Sequence, residues 1–514
     1  MSERYTGSDE FLAEIWNHTN VGVDNQEDWV DELSAIGVEG RQQFARTLRA
    51  AADALDAPTR HTPSVGSTSN NKKRPDGRAR NDDNFDFTKY PSRHVALHVM
   101  YAGWKYKGFA SQGAEQSGVA TVEECLFRAL KRVRLIAPDA TWKNCDYTRC
   151  GRTDAGVSAV GQVVSAKLRC RVPFNDGDES EFDLTNANES IADEDEIDYP
   201  ATLNRALPQD IRVIGWAYVS PRFSARFACD FRHYKYFFAN WGAGGLDFKA
   251  MNDAAGRLVG EHDYRNFCKM DAKNVHNYRR RINSCRVVTA ADANDDGARG
   301  AMGLGGNGNG NGNGNGNNIN TPGVAHIEVI GTAFLWHQVR CIAAVLFLVG
   351  LGREPPSIMS DMLDLTKFPR KPQYEMAPEE PLTLWRCAFG GVRFRTSKTA
   401  RTQLELHAAQ CTHRHMVRAG VWAETLAHVR VGEYIGGGCG GVDYDGEITH
   451  GHLDNGAATA EALSRVTALA SAGEGVAAGG NARAAHVPLS RRATEPTYEE
   501  RVEQIERTKK GRTS

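Results

Sequence analysis

The chain has 514 residues, of which 41% are hydrophobic and 25% charged, and this composition is typical of a globular protein with one or two cores. The formal net charge of −2 excludes a polycation that coats nucleic acid with its whole surface, so a phosphate-binding surface must be local. The 11 cysteines lie singly, without a C-x-x-C pair, which favours a reducing compartment over a disulfide framework.

The beginning of the chain predicts a helical extension followed by a linker. Residues 1–60 carry apolar side chains at roughly helical spacing. Their mostly polar start resembles neither a signal peptide nor an organellar presequence, so we expect a protein of the cytoplasm, the nucleus or both. Residues 61–91 are rich in Pro, Ser, Asn, Lys and Arg, which predicts a flexible linker.

Residues 92–222 mix strand-like and helix-like patterns. Apolar residues recur at every second position from Val95 to Tyr101, as in a half-buried strand. Thr121 and Glu124 form a capping box that predicts the start of a helix. Two further strand-like runs follow, at 162–168 and 211–219.

Residues 223–395 repeat this mixture. They predict a strand at 233–238, a helix from Asp247 to a stop at Gly260, a strand near Ile327 and a helix through Val339, Ile342 and Leu346. The apolar stretch 341–351 in the last of these is too short to cross a bilayer and is interpreted as a buried helix. Two similar halves indicate an α+β core made of two related α/β domains.

Three segments fall outside this core pattern. The acidic stretch at about 175–198 is interpreted as an insertion solvated by its own charge. The Gly/Asn alternation at about 303–318 cannot build a core and predicts a disordered loop insertion. Residues 396–514 form a C-terminal extension that we expect to be partly disordered.

The run from Cys150 to Ala159 is the first candidate for chemistry. It places Asp154 between two glycines, with Arg152 two residues away. Glycines allow tight turns close to a ligand, and a nearby arginine keeps a carboxylate charged. Such an aspartate can act as a nucleophile or as a charged anchor, although Gly and Asp are equally common in ordinary surface turns.

Two tyrosines form the second candidate. Tyr234 and Tyr236 lie two apart on a predicted strand and therefore share one face, with Arg232 and Lys235 beside them in sequence. Aromatic rings next to basic groups suit nucleic acid, because a base stacked on such a ring gains about 1–3 kcal/mol. Alternatively, the aromatic side chains simply pack the sheet.

Arg340 is the third candidate, because it lies near the start of a strongly apolar helix. An unpaired guanidinium is costly to bury, so Arg340 requires a carboxylate partner, for which we predict Asp154. Trp336 and His337 are interpreted as core residues. The run Arg279–Arg281 could contact phosphates or simply be solvated.

A metal site is not predicted. Cys411, His413 and His415 could be combined with Cys439, but their spacing matches no structural zinc site.

Five ordered motifs resemble the TruA-type tRNA pseudouridine synthases, over about residues 92–395. They are Gly151-Arg-Thr-Asp-Ala-Gly-Val-Ser-Ala159, Phe223-Ser-Ala-Arg-Phe227, Arg232-His-Tyr-Lys-Tyr-Phe-Phe238, Gly260-Glu-His-Asp-Tyr-Arg-Asn-Phe-Cys268 and Phe334-Leu-Trp-His-Gln-Val-Arg340. The segments 266–271 and 335–338, together with the tail at 486–491, are similar to the eukaryotic branch that modifies positions 38 and 39 of the tRNA anticodon stem-loop.

The resemblance implies a pseudouridine synthase fold, in which the two domains share a mixed or antiparallel sheet around a central basic cleft. It implies that Asp154 is the catalytic nucleophile or base, that Arg152 contacts the phosphate backbone, and that Arg340 pairs with Asp154. It places the base-stacking tyrosine at Tyr234, or at Tyr236 if the register is shifted.

The same resemblance implies an isomerase that acts on tRNA with no cofactor and no metal. The cleft would be built on basic groups, namely Lys105, Arg152, Arg232, Lys235 and Arg279–Arg281. Two alternatives remain open: the same chemistry on other tRNA uridines or other RNAs, and an RNA-binding protein of this fold without turnover. The oligomeric state is not predicted.

Overall fold

The computed structural model describes residues 85–111, 120–173, 192, 194–240, 246–289, 323–430 and 486–510. The predicted helical extension at 1–60, the Gly/Asn-rich insertion at 303–318 and most of the acidic insertion lie outside these residues. The last part of the predicted linker is described, and there the ring of Phe85 stacks on that of Tyr90, with 4.8 Å between ring centroids.

Nine strands in the described part of the chain form one mixed sheet. They are β1 (Ser92–Tyr101), β2 (Thr148–Arg149), β3 (Ser158–Arg169), β4 (Ile211–Tyr218), β5 (Phe231–Asn240), β6 (Gly260–Asp263), β7 (Arg279–Val288), β8 (Gly323–Gly331) and β9 (Leu382–Ala388). Their order is β4-β1-β3-β9-β5-β8-β7-β6, with β2 paired to β3 beside this path. The predicted α+β architecture with a shared mixed sheet is confirmed.

The two halves of the sheet meet at β3 and β9, which pair in parallel through Ser158 with Thr383 and Ala159 with Leu384. All the other strand pairs in the described residues are antiparallel. Strand β9 comes after both halves in sequence, but it lies between them in the sheet. Its Leu384 packs in the N-terminal core and its Leu382 in the C-terminal core.

Seven α-helices accompany the sheet in the described residues: α1 (Val122–Arg132), α2 (Tyr199–Asn204), α3 (Phe248–Gly256), α4 (Gln338–Gly350), α5 (Ile358–Leu363), α6 (Lys398–Arg430) and α7 (Tyr498–Lys510). The predicted capping box is present at α1, where Glu124 N donates to Thr121 Oγ1 at 3.3 Å and Thr121 N donates to Glu124 Oε2 at 3.0 Å. The predicted buried helix is α4, in which Arg340 is the one residue that is not buried. None of the described helices combines the length and apolar character that a membrane span requires.

The end of the acidic segment is structural, which corrects the expectation that it is wholly solvated. The side chain of Glu196 is 2% exposed and accepts hydrogen bonds from the backbone N–H of Arg171 at 2.8 Å and from the Tyr218 hydroxyl. Asp198 caps α2 by accepting from Ala201 N at 2.9 Å. Both carboxylates accept hydrogen bonds from backbone N–H groups. The charge of an acidic residue alone does not show that it has such a structural role.

Part of the C-terminal extension lies within the described residues. Residues 486–510 dock on the C-terminal half, where His486 Nε2 lies 2.9 Å from Glu354 Oε1 and Lys371 Nζ lies 3.1 Å from Glu495 Oε1. His413 and His415 lie exposed on the long helix α6.

Candidate active site

A large cavity opens between the two halves of the sheet. Its volume is about 1320 Å³, and its lining includes Arg152, Asp154 and Tyr234. Pockets for drug-sized ligands measure about 300–1,000 Å³, so this cavity has room for a nucleotide and its neighbours. A second cavity of about 560 Å³ shares part of this lining, including Asp154 and Arg152.

The loop between β2 and β3 holds Asp154 in a fixed turn. The side chain of Gln162 is fully buried and bonds both backbone groups of Gly151, accepting from its N–H at 3.1 Å and donating to its carbonyl at 3.0 Å. Thr153 Oγ1 lies 2.7 Å from the Tyr101 hydroxyl. Gly156 turns the chain with φ +80°, as its glycine identity predicts, whereas Gly151 does not have a positive φ.

The Asp154 carboxylate is half-buried, with a side chain that is 29% exposed. Burial raises its pKa, while the charge of Arg340 and a hydrogen bond with Trp336 oppose that rise. His337 Nε2 lies 3.5 Å from Asp154 Oδ2. Burial, aided by the charge of Arg340, lowers the pKa of His337 to about 4, so this contact is not an ion pair at neutral pH.

Arg340 forms its ion pair with Glu379 and not with Asp154, which corrects the predicted pairing. Its Nη2 lies 2.8 Å from Glu379 Oε2, and its Nε donates to the carbonyl of Ala377 at 2.7 Å. These two bonds hold the guanidinium against the segment 377–379. Arg340 therefore influences Asp154 through its charge, since it lowers the pKa of that carboxyl without touching it.

The two tyrosines of β5 have different environments. Tyr234 lines the large cavity, and its ring meets that of Phe334 edge-on with centroids 5.1 Å apart. Tyr236 is fully buried, packs edge-on against Phe347 of α4 and does not line the cavity. Tyr236 is therefore a core residue in this structure, and of the two tyrosines only Tyr234 lines the cavity.

Lys235 lies on the opposite face of the sheet, which corrects its predicted place in the substrate site. Its Nζ lies 4.3 Å from the centroid of the Trp385 ring, and neither residue lines the cavity. Neighbouring residues of a strand point to opposite faces. A lysine next to Tyr234 therefore cannot share its cavity.

Arginines dominate the charged lining of the large cavity. Those present are Arg149, Arg152, Arg226, Arg232 and Arg280. Arg149 pairs with the buried Glu123 at 2.5 Å. The other four have no carboxylate partner within the described residues, so the cavity carries a local positive charge although the chain as a whole does not.

Most of the remaining predicted cleft residues do not line this cavity. Lys105 is exposed and lies 4.0 Å from Asp210. Arg279 opens strand β7 and pairs with Glu261 at 3.1 Å. Of the run Arg279–Arg281, which belongs to strand β7, Arg280 alone lines the cavity.

Two aromatic side chains lie exposed at the cavity. Phe227 is 80% exposed and Trp336 is 46% exposed, and both belong to the lining. Lys269 Nζ lies 4.5 Å from the centroid of the Trp336 ring. Trp336 and His337 are thus cavity residues rather than the predicted core residues. His337 has a positive φ of 61°, a conformation that is uncommon for a residue with a side chain and is concentrated at functional sites.

The chain is similar in sequence to known proteins of one family. A family model described as tRNA pseudouridine synthase matches residues 254–390. The chain is 42% identical over 336 residues to the tRNA pseudouridine(38/39) synthase of Homo sapiens. The aligned region covers 65% of this chain and 63% of that protein. The chain is 36% identical over 343 residues to the tRNA pseudouridine(38/39) synthase of Saccharomyces cerevisiae, covering 64% of this chain and 67% of that protein.

A shorter relative shows how much of the chain is shared with it. The tRNA pseudouridine synthase A of Methanothrix thermoacetophila is 26% identical over 336 residues, and the match covers 98% of that protein but 65% of this chain. The shared region thus corresponds to nearly a whole archaeal protein. The chain therefore belongs to the tRNA pseudouridine synthase family.

Proposed function

We propose that the protein converts uridine to pseudouridine in tRNA, at positions 38 and 39 of the anticodon stem-loop. The observation that carries the proposal is the placement of one half-buried carboxylate, Asp154, on the wall of a cavity that also presents the Tyr234 ring. The same wall carries four arginines that have no carboxylate partner among the described residues. The relatives named for positions 38 and 39 support the choice of uridine.

The reaction is an isomerisation within one nucleotide. The bond between N1 of uracil and C1′ of ribose breaks, the base turns, and a new bond joins C5 to C1′. C5 releases a proton and N1 gains one, so atoms and electrons balance without an oxidant or a group donor. The protein must therefore supply a flipped base, a place for that base to turn, and a positioned carboxylate.

Asp154 supplies the carboxylate in this proposal, and it acts in the ionised form on the sugar or the base. Burial strengthens its interaction with the reacting atoms, because charges interact more strongly away from water. The charge of Arg340 opposes the effect of burial on the pKa of Asp154. Arg340 thereby helps to keep the carboxylate ionised at neutral pH.

Tyr234 stacks on the flipped base in this proposal. Unstacking a uridine costs a few kcal/mol, and stacking on an aromatic ring returns about 1–3 kcal/mol. The Tyr234 hydroxyl has no hydrogen-bond partner within the described part of the chain, so it is available to the ligand. The Arg152 side chain is exposed at the cavity and contacts the phosphate backbone, as RNA recognition by shape and charge requires.

The presence of Asp154 in the cavity argues against the alternative function of RNA binding without catalysis. A negative charge on the wall of a cavity that binds a polyanion repels its ligand, and burying that charge destabilises the fold. Neither effect is useful to a protein that only binds.

The proposal is tested by mapping pseudouridine in unmodified tRNA transcripts after incubation with the full-length chain. Carbodiimide treatment followed by reverse transcription is expected to give stops one nucleotide 3′ of positions 38 and 39, because the reverse transcriptase halts before it copies the adduct. A matched transcript with cytidine at both positions should give none. Stops elsewhere would keep the chemistry and overturn the position, whereas binding without any stop on any tRNA would overturn the proposed reaction.

A further inference from the structure

Three cysteines meet next to the Asp154 loop. The sulfur atoms of Cys150, Cys229 and Cys387 all lie within 4.8 Å of one another. Cys150 follows β2, Cys229 precedes β5, and Cys387 lies in β9. We call these residues the three-cysteine cluster. The chain brings them together from three distant segments, so their spacing in sequence gives no sign of the cluster.

We infer that the three-cysteine cluster binds a zinc ion. Zinc bonds to cysteine sulfur at about 2.3 Å, so three sulfurs on one ion lie about 3.8–4.0 Å apart. The observed upper limit of 4.8 Å therefore requires shifts of less than about 1 Å to reach this geometry. Thiolates are soft ligands that favour zinc over magnesium or calcium.

An ordinary role for these residues is to pack as small apolar side chains, as buried cysteines often do. Five other buried cysteines in the described residues behave in this way, and none of them joins a group of potential ligands. They are Cys145, Cys170, Cys268, Cys285 and Cys341. The three-cysteine cluster differs from them because its three sulfur atoms lie within 4.8 Å of one another.

The cluster also has an entry path and an open position. Cys150 and Cys229 line the large cavity, so an ion can reach the sulfurs from solvent. No fourth His, Cys, Asp or Glu joins the cluster within the residues that the structure describes. Water from the cavity would complete a four-coordinate site, as in zinc sites that hold three protein ligands.

Arg232 balances the charge of such a site. Zinc with three thiolates carries a net charge of −1, and Arg232 Nη2 donates to the carbonyl of Cys150 at 3.1 Å and to that of Arg226 at 2.9 Å. These bonds place a guanidinium beside the cluster and fix the backbone of one ligand. Support of this kind around the ligands orients metal sites in general.

Zinc at this position would tie the start of the Gly151–Asp154 loop to β5 and β9. The loop belongs to the N-terminal half of the sheet, whereas β5 belongs to the C-terminal half. The role assigned to the ion is therefore structural, and it does not depend on the proposed isomerisation.

The metal content of the full-length chain tests the inference. After anaerobic reconstitution with zinc and removal of excess metal, mass spectrometry should find about one tightly held zinc per chain. Cys229→Ala should lower this content at least tenfold. Cys125→Ala, which alters a half-buried cysteine of α1 outside the cluster, should leave it unchanged. Less than a tenth of an equivalent in the wild-type chain, or equal content in both variants, would overturn the inference.

Cobalt provides a second readout that needs no variant to fold. Co²⁺ added to the metal-free wild-type chain should give the intense near-ultraviolet absorption of thiolate-to-cobalt charge transfer, and zinc should remove it. Cobalt binding without that absorption would place the ion on other ligands and contradict the inference. Both readouts are independent of tRNA modification, so failure of the proposed function would leave them unaffected.

Discussion

Replacing Gly156 with alanine is expected to damage the active site more than the fold. Gly156 has φ +80°, and a Cβ built there would lie 2.5 Å from Cγ of Glu379. The left-handed backbone costs an alanine about 1–2 kcal/mol of unfolding free energy. Glu379 is 45% exposed and can turn away, so the contact adds little to this loss.

The movement of Glu379 matters for the site because it breaks the ion pair with Arg340, whose side chain is 11% exposed. Arg340 then loses its ion-pair partner and is free to move. Movement of its guanidinium changes the distance over which its charge lowers the pKa of Asp154. Displacement of about 1 Å in an active site can lower a rate about 100-fold. We therefore expect Gly156→Ala to reduce the single-turnover rate of pseudouridine formation by about 10- to 100-fold.

Gly352→Ala is the matched control. Gly352 also has a positive φ, of 67°, but a Cβ there would have no neighbour within 4 Å. Urea unfolding should show a similar loss of about 1–2 kcal/mol in both variants. Tritium release from tRNA labelled at C5 of uridine should be slow in Gly156→Ala and normal in Gly352→Ala. Equal rates in the two variants would refute the role given to the contact between Gly156 and Glu379.

Charge, burial and base stacking give three further predictions. Arg340→Gln removes the cation that lowers the pKa of Asp154, so the acid limb of the pH–rate profile should move to higher pH. Glu379→Gln removes a negative charge that raises the pKa of Asp154, so the acid limb should move to lower pH. Shifts in the same direction would contradict this electrostatic account. The buried hydroxyl of Tyr236 has no partner, so Tyr236→Phe should unfold at an equal or higher urea concentration. Tyr234→Ala should slow single-turnover catalysis more than it weakens tRNA binding, and an unchanged rate would remove the stacking role from Tyr234.

Local sequence patterns predicted the elements that depend on neighbouring residues. The capping box at Thr121 and Glu124 and the apolar run of α4 are both present, because each is specified within one or two turns of helix. Strand β9 was not predicted. Its central place depends on parallel pairing with β3, a contact between residues far apart in sequence, and no local pattern encodes such pairing.

In the candidate site, too, features specified by neighbouring residues were predicted, whereas most features that depend on distant contacts were not. The turn that carries Asp154 was predicted from its own residues, since Gly156 provides the positive φ that the turn requires. Glu379 was missed because nothing in its neighbourhood marks it as the partner of Arg340. The error at Lys235 was avoidable, because the alternation of side chains along a strand already separates it from Tyr234.

The predicted core placement of Trp336 and His337 was wrong. Large aromatic residues before an apolar helix usually pack in a core. Here the chain turns at His337 with a positive φ, which leaves Trp336 exposed at the cavity. That backbone conformation is unusual for histidine and was not predictable from residue type.

The most direct test of the account compares the wild-type chain with Asp154→Ala on the same tRNA under single-turnover conditions. We expect the variant to form no pseudouridine while binding tRNA at least as tightly, because a negative charge has left the cavity. Burial raises the pKa of Asp154 in the folded chain, so its ionised form destabilises the fold at neutral pH. The variant should therefore unfold at an equal or higher urea concentration. Appreciable pseudouridine formation by a folded, tRNA-binding Asp154→Ala variant would contradict the central claim.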